Sequence, residues 1–397
     1  MERHYGNEKR FYGKFKMRTN FPVKIIAGFV SLIFIFGCAS KGSEIPPLNK
    51  LNSPLVDVGI NWEKSVGGPG AYQFVPARYD DLLCGAGLEG KISCFNSETG
   101  KLVIKINAGR QLAGGVGLSD QILIAGTVRG EALAVNTKSG EILWQTMINS
   151  QILGPAKVTG EMIVVRGGSG DILALDRGDG KVLWRYEVSQ PALILRSNST
   201  VSLDSEGNIA VGLADGRLVL LDSSAGEVKW DVVVAQKTGT NELERMSDVV
   251  GSPLIDNQTV CAIALNGNVA CYEKDSGRRI WARKASSSKG LGGGDKEIFY
   301  TNESDFIIAL EKSTGASIWN QETLYKRNLT APYLYKDWIL VGDSEGFIHV
   351  LSRADGRVIG RRLIDKSGFA GPVIGNGDAV YLQSVGGRLY SLSVIVN

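Results

Sequence analysis

Apolar and polar residues alternate along most of the chain after residue 56, in short runs that end at glycine-containing turns. The stretch GDILALDRGDGKVLW, residues 170–184, is representative. Ile172 and Ala174 fall on one face, an Asp-x-x-x-Gly turn follows, and a second apolar segment ends in Trp184. Alternation with a period of two predicts a strand with one buried face, and glycine permits the positive φ of the turn. The stretch therefore predicts two antiparallel strands joined by a tight turn.

The same 15-residue unit occurs seven times, with starts at residues 90, 130, 170, 216, 267, 305 and 346. An eighth copy starts at Gly387, and the chain ends before that copy's last strand. Successive copies begin 38 to 51 residues apart, with room for four strands each. This spacing and strand count are typical of β-propeller blades. The sequence predicts an all-β, eight-bladed β-propeller of four-stranded antiparallel blades.

The truncated eighth copy lacks its tryptophan-bearing outer strand, while Trp62 stands in the segment GINWEKS far from any complete copy. We therefore expect residues near 58–66 to supply the missing strand and to close the ring. The tryptophans are interpreted as core residues that pack between blades, because one recurs at the same place in most copies.

The first 55 residues lack this repeat. Residues 23–36 include about 13 apolar residues, too few for a helix to cross a hydrocarbon core of about 30 Å, and basic residues precede them. This layout predicts a signal peptide over 1–37, with Met17 as an alternative start. Cys38 follows Ile-Phe-Gly and resembles a bacterial lipobox cysteine, which is acylated and becomes the new N-terminus. An ordinary signal peptide with a chance cysteine is the alternative.

The three predicted segments are the signal peptide, a lipidated cysteine with a flexible tether over 38–55, and one propeller domain over 56–397. Residues 1–37 hold seven Lys or Arg and two Asp or Glu, so the rest of the chain has 37 basic and 39 acidic residues. This balance gives no indication of nucleic-acid binding. Ala39-Ser40 after the cysteine, in place of aspartate, implies sorting to the outer membrane by the same resemblance.

The other cysteines form two matched pairs, each ten residues apart and at equivalent places in their blades: Cys84 with Cys94, and Cys261 with Cys271. Facing positions on a hairpin would suit disulfides in an oxidising compartment, whereas the small or apolar residues at these places in other blades suit buried thiols. Both states remain open. His349 alternates along a predicted strand and is interpreted as structural, and the sequence shows no spacing typical of metal ligands.

Two families share features with these repeats. The unit x-Ala-Leu-Asp-x-x-x-Gly-x-x-x-Trp resembles the repeat of pyrroloquinoline quinone (PQQ) dehydrogenases, but the chain has neither adjacent cysteines nor a Cys-x-x-Cys-His haem motif. The chain also resembles the outer-membrane protein assembly factor BamB family over nearly all of the segment after the signal. The likeness is greatest in PALILRSNS (191–199), ERMSDVVGSPL (244–254), ALNGNVACYEKDSGRRIW (264–281) and ILVGDSEGFIHVLSRADGRVIG (339–360).

The second resemblance implies a non-enzymatic lipoprotein without a cofactor. Such a protein would bind the periplasmic domains of the insertase BamA, join the other assembly subunits, and help unfolded barrel proteins insert into the outer membrane. A PQQ-dependent dehydrogenase is the alternative. Only the blade starts at 170→216→267 are unusually far apart, which predicts two long neighbouring loops on one face, about 188–200 and 232–250.

The resemblance maps BamA contacts onto Leu193, Leu195 and Arg196 in the first loop and onto Asp248 in the second. Val250 stands where relatives carry an acidic residue, which would weaken the electrostatic part of the contact. An apolar cluster beside an arginine in a loop is typical of a partner anchor. The alternative is that the leucines pack into the central funnel of the propeller itself.

Overall fold

The computed structural model describes residues 45–189, 191, 193–195, 199–375 and 377–397. Within these ranges the strands form eight separate four-stranded sheets, and consecutive strands in each sheet are antiparallel. The predicted eight-bladed propeller is confirmed. The predicted signal peptide and Cys38 lie outside the described residues.

Each of the first seven blades is a sequential meander whose first strand lines the centre and whose fourth strand lies at the rim. Blades one and two consist of β2 (Ala77–Tyr79), β3 (Leu82–Ala86), β4 (Lys91–Asn96), β5 (Leu102–Asn107), β6 (Leu112–Ser119), β7 (Ile122–Thr127), β8 (Glu131–Asn136) and β9 (Ile142–Met147). Blades three and four consist of β10 (Lys157–Thr159), β11 (Met162–Arg166), β12 (Ile172–Asp176), β13 (Val182–Tyr186), β14 (Ser202–Leu203), β15 (Asn208–Gly212), β16 (Arg217–Asp222) and β17 (Val228–Val233).

The remaining sequential blades are built in the same way. Blades five and six consist of β18 (Val249–Ile255), β19 (Thr259–Ala264), β20 (Gly267–Glu273), β21 (Arg279–Ala285), β22 (Leu291–Gly293), β23 (Glu297–Thr301), β24 (Ile307–Glu311) and β25 (Ser317–Gln321). Blade seven consists of β26 (Tyr333–Tyr335), β27 (Trp338–Gly342), β28 (Phe347–Ser352) and β29 (Val358–Leu363).

Blade eight joins the two ends of the described chain. It contains β30 (Ile374–Gly375), β31 (Val380–Gln383) and β32 (Arg388–Val396) from the C-terminal side, and β1 (Val56–Ser65) from the N-terminal side. β1 pairs with β32 in antiparallel register from Val56 opposite Val396 to Ser65 opposite Arg388. The ring closure predicted from Trp62 is therefore confirmed, and β32 is not left as an unpaired edge.

The recurring tryptophan and glycine of the sequence unit meet across neighbouring blades. The indole N–H of Trp144 donates to the Arg177 carbonyl at 2.9 Å, in the outer turn of the next blade. The ring lies over Gly180 of that turn, where an added Cβ would be 2.4 Å from the ring, and Gly180 itself has φ +73°. Glycine is thus needed both for the turn and for the close approach.

Trp62 makes the same contact from blade eight to blade one. Its indole N–H donates to the Ser97 carbonyl at 3.1 Å, and its side chain is 8% exposed. It packs with Phe95 and Tyr381 at ring-centroid separations of 6.0 and 6.4 Å. The interpretation of the repeated tryptophans as inter-blade core residues agrees with these contacts.

Antiparallel order gives the propeller two different faces. The turns between third and fourth strands lie on one face, which we call the turn face. The turns between second and third strands, and the connections from one blade to the next, lie on the other face, which we call the loop face. The two longest blade connections, between β13 and β14 and between β17 and β18, are neighbours on this loop face.

Candidate partner-binding face

The apolar segment of the first long connection is divided between solvent and the propeller's centre. Leu193 is 40% exposed, whereas Leu195 is partly buried. Leu195 packs against the buried cluster between blades five and six and, with Leu254 and Leu291, lines a central cavity of about 480 Å³. Leu195 therefore packs toward the central funnel, as the alternative interpretation expects, whereas Leu193 is exposed and accessible to a partner.

Asp248, predicted as a partner contact, ends the second long connection directly before β18. Its side chain is 4% exposed, and it accepts a hydrogen bond from the backbone N–H of Leu195. Burial raises the pKa of Asp248 to about 6, and the Leu195 N–H and nearby Arg166 only partly offset that burial. The carboxylate therefore holds the first loop in place, and a basic partner group could reach it only if that loop moved.

Arg166 at the end of β11 completes this arrangement. Burial lowers the pKa of Arg166 to about 10, and the negative charge of Asp248 acts in the opposite direction. The Nη1 of Arg166 and the Oδ1 of Asp248 are buried, and neither has a hydrogen-bond partner among the described residues. Both side chains, with Ile194 and Leu195, line a cavity of about 270 Å³ beneath the first loop. The two loops are therefore joined by the hydrogen bond from Leu195 to Asp248, and Arg166 adds a buried positive charge near that carboxylate.

Sequence reasoning did not single out Arg166, although the repeat contained a signal. The residue four positions before the start of the repeat unit is glycine in three other copies, at Gly126, Gly212 and Gly342, and uncharged in the remaining ones, so a large cation at that place is an exception. Arg196, predicted as a partner contact, lies outside the described residues. Its contribution to the face remains a prediction.

Two further residues considered in the sequence are internal. Val250 is 2% exposed and pairs with Ile263 in blade five, so a side chain at this place belongs to the blade's core. His349 is fully buried, and its Nε2 lies 2.9 Å from Oδ2 of Asp343. Burial lowers the pKa of His349 despite that carboxylate. Within the described ranges, no group of three or more His, Cys, Asp or Glu residues is placed to hold a metal ion.

The cysteine pairs bridge the second and third strands of blades one and five. Cys84 lies opposite Cys94, and Cys261 lies opposite Cys271, in their respective strand ladders. In the structure each pair forms a disulfide, with Cα atoms 4.0 and 4.1 Å apart. Oxidation of these pairs in the cell remains a prediction.

A family model described as outer membrane protein assembly factor BamB matches residues 88–321. The BamB protein of Pseudomonas aeruginosa is 42% identical over 367 residues, which cover 91% of this chain and 96% of that protein. The crystal structure of BamB from Moraxella catarrhalis matches with a TM-score of 0.78 and 25% identity, and covers 85% of this chain and 99% of its own.

The chain belongs to the BamB family of outer membrane protein assembly factors. A quinohemoprotein alcohol dehydrogenase from Comamonas testosteroni also matches this BamB-family chain, with a TM-score of 0.68 and 11% identity over 85% of this chain and 76% of that one. Identity this low relates the two proteins by fold alone. The described part of the chain contains no helix with the length and apolar character needed to cross a bilayer.

Proposed function

We propose that this chain is a non-enzymatic scaffold lipoprotein of the outer-membrane β-barrel assembly machinery. It is acylated at Cys38, faces the periplasm, and binds BamA through the loops 188–200 and 232–250. Through this contact it assists the folding and insertion of barrel proteins. Membership of the BamB family supports a role in the assembly of outer-membrane proteins. The position of the two loops, side by side on the loop face, supports binding through them.

One observation carries the binding proposal. Leu193 is exposed beside Ile194 and Leu195, and this segment is fixed by the bond from Leu195 N–H to the buried Asp248. An apolar residue on a loop that is already ordered can bind with a smaller loss of conformational entropy than one on a free loop. The face therefore has the properties of a preorganised anchor for another protein.

Affinity purification of the full-length protein from outer membranes tests this function. We expect BamA to co-purify and Cys38 to carry an acyl chain by mass spectrometry. A Cys38→Ala variant should lose its membrane attachment, because multiple acyl chains are what hold such a protein firmly on a bilayer. Quinone-linked alcohol oxidation without an associated insertase would instead support the dehydrogenase alternative.

A further inference from the structure

Residues 46–55, within the segment expected to be a flexible tether, lie against the outside of the propeller. We call these residues the strap. At its N-terminal end, Nη1 of Arg327 donates to the carbonyl of Pro46 at 3.0 Å. Arg327 is 1% exposed and belongs to the connection between β25 and β26, so this end of the strap is at the loop face.

Arg327 is held in place by two carboxylates. Its Nε donates to Oδ2 of Asp343 at 2.6 Å, and its Nη2 forms an ion pair with Glu345. Asp343 is fully buried and is also bonded to His349. A buried guanidinium with its other nitrogens already paired presents the remaining one in a fixed direction, so the Pro46 carbonyl meets a preorganised donor.

The strap continues along blade seven. Leu48 packs against the apolar cluster between blades six and seven, which includes Trp319, Ile339 and Leu351. The guanidinium of Arg361 on β29 donates to the Asn49 carbonyl. A hydrophobic contact and a charged donor thus follow the Arg327 contact within three residues, and each adds to the attachment.

The C-terminal end of the strap reaches the turn face. Leu55 N–H donates to the Ile359 carbonyl at 2.9 Å, and the Leu55 carbonyl accepts from Asn397 N–H at 3.0 Å. The Nδ2 of Asn397 donates to the Pro54 carbonyl at 2.9 Å. Because β1 then runs back from the turn face to the loop face, the strap itself must run from the loop face to the turn face.

This course decides where the N-terminus leaves the propeller. With the strap bound, residue 45 is at the loop face, and seven residue steps separate it from Cys38, a reach of at most about 25 Å. A free chain from Leu55 to Cys38 has seventeen steps and reaches about 60 Å, enough to leave either face toward the membrane. We propose that the strap is a permanent part of the folded protein and that it orients the propeller with its loop face toward the lipid bilayer. The orientation, though not the strap, rests on the proposed anchoring at Cys38.

Limited trypsin digestion of the full chain tests the strap itself. Lys50 is exposed within the strap, so its cleavage requires the flanking chain to leave the propeller's surface. Lys41, in the predicted tether, is the internal reference. We expect Lys50 to be cut more slowly than Lys41 and Leu48→Glu to accelerate cutting at Lys50 about tenfold or more. Leu55→Glu is the matched control, because Leu55 is 55% exposed and binds through its backbone. Equal rates at Lys50 and Lys41 in the unmodified protein would overturn the strap.

Energy transfer tests the orientation. The lipidated chain is labelled at Glu303→Cys on the loop face or at Glu98→Cys on the turn face, and is bound to phosphatidylethanolamine and phosphatidylcholine vesicles that carry an acceptor lipid. We expect greater transfer from position 303, and Leu48→Glu should reduce the difference. Equal or reversed transfer in protein whose acyl mass at Cys38 is verified would overturn the orientation alone. Absence of that acyl mass would refute the proposed anchoring, and the digestion result would still decide the strap.

Discussion

The pH dependence of stability that arises from Asp248 can be worked out from its surroundings. The pKa of this carboxyl is about 6 in the folded protein, against an ordinary value of 3.8. Between these pH values the folded protein keeps a proton that the unfolded chain has released. Stability from this group is therefore fully present below about pH 4 and is lost as the pH rises through 6. The shift corresponds to at most about 3 kcal/mol, because Asp248 also lines the cavity of about 270 Å³, where solvent screening would reduce the effect.

Asp248→Asn removes the titration and keeps an oxygen that can accept the Leu195 N–H. We expect the difference in unfolding free energy, variant minus unmodified protein, to grow by up to about 3 kcal/mol between pH 4 and pH 7. Arg166 stays protonated throughout this range because the pKa of Arg166 is about 10, so its contribution to the slope is small. Urea unfolding at four pH values in this range gives both curves.

Asp256→Asn is the control of opposite sign. Burial opposes ionisation of Asp256, but its hydrogen bonds, with that from Lys312 the strongest, outweigh burial and lower the pKa of this carboxyl. Stability from Asp256 is fully present above its unfolded pKa and is lost as the pH falls through the folded one, so its difference curve should be nearly flat between pH 4 and pH 7 and should rise only as the pH falls below about 4. Parallel curves for Asp248→Asn and the unmodified protein would refute the account of a buried, destabilised carboxylate beneath the loop.

Two further predictions concern the ring and the cysteines. Trp62→Ala should lower the unfolding free energy by about 3–5 kcal/mol, because it removes a buried aromatic side chain at the ring closure. Trp338→Ala, which truncates a partly buried tryptophan, should lower it by less. Urea unfolding measures both variants, and equal small losses would contradict the closure role of Trp62. Thiol titration of denatured, unreduced protein should find no free thiol in the two cysteine pairs, and four free thiols would exclude the disulfides.

The propeller was predictable because its determinants are local and repeated. The alternation within each unit, the turn glycine and the constant 14-residue step to the tryptophan position all derive from contacts that recur in almost every blade. Trp62 could be assigned to blade eight because it is the member missing from the last copy. The exceptions are also local: Ile104 takes the tryptophan's place in blade one and lies near Gly140, and Gly360 takes it in blade seven, where Val56 fills the space.

The site was less predictable because its contacts are unique to one blade or involve the backbone. The strap is held through the carbonyls of Pro46 and Asn49, and the side-chain pattern of a Ser/Pro/Lys-rich segment carries no sign of such bonds. Burial of Asp248 depends on Leu195 from a different loop, and this pairing follows from the order of blades in space. Arg166 departs from the repeat, and such a departure identifies an unusual residue without identifying its partner.

Binding to the periplasmic domains of BamA tests the central claim most directly. The comparison uses Leu193→Ala combined with Arg196→Ala against Leu183→Ala, a control leucine that is 49% exposed on the outer strand of the same blade. Truncated anchor residues typically cost about 2 kcal/mol or more each, so we expect the double variant to weaken binding by roughly a hundredfold or more. Its melting temperature should stay close to that of the unmodified protein, since Leu193 is exposed and loop residues contribute little to the core. Unchanged affinity of the folded double variant, or equal weakening by the Leu183→Ala control, would contradict the assignment of this face to BamA.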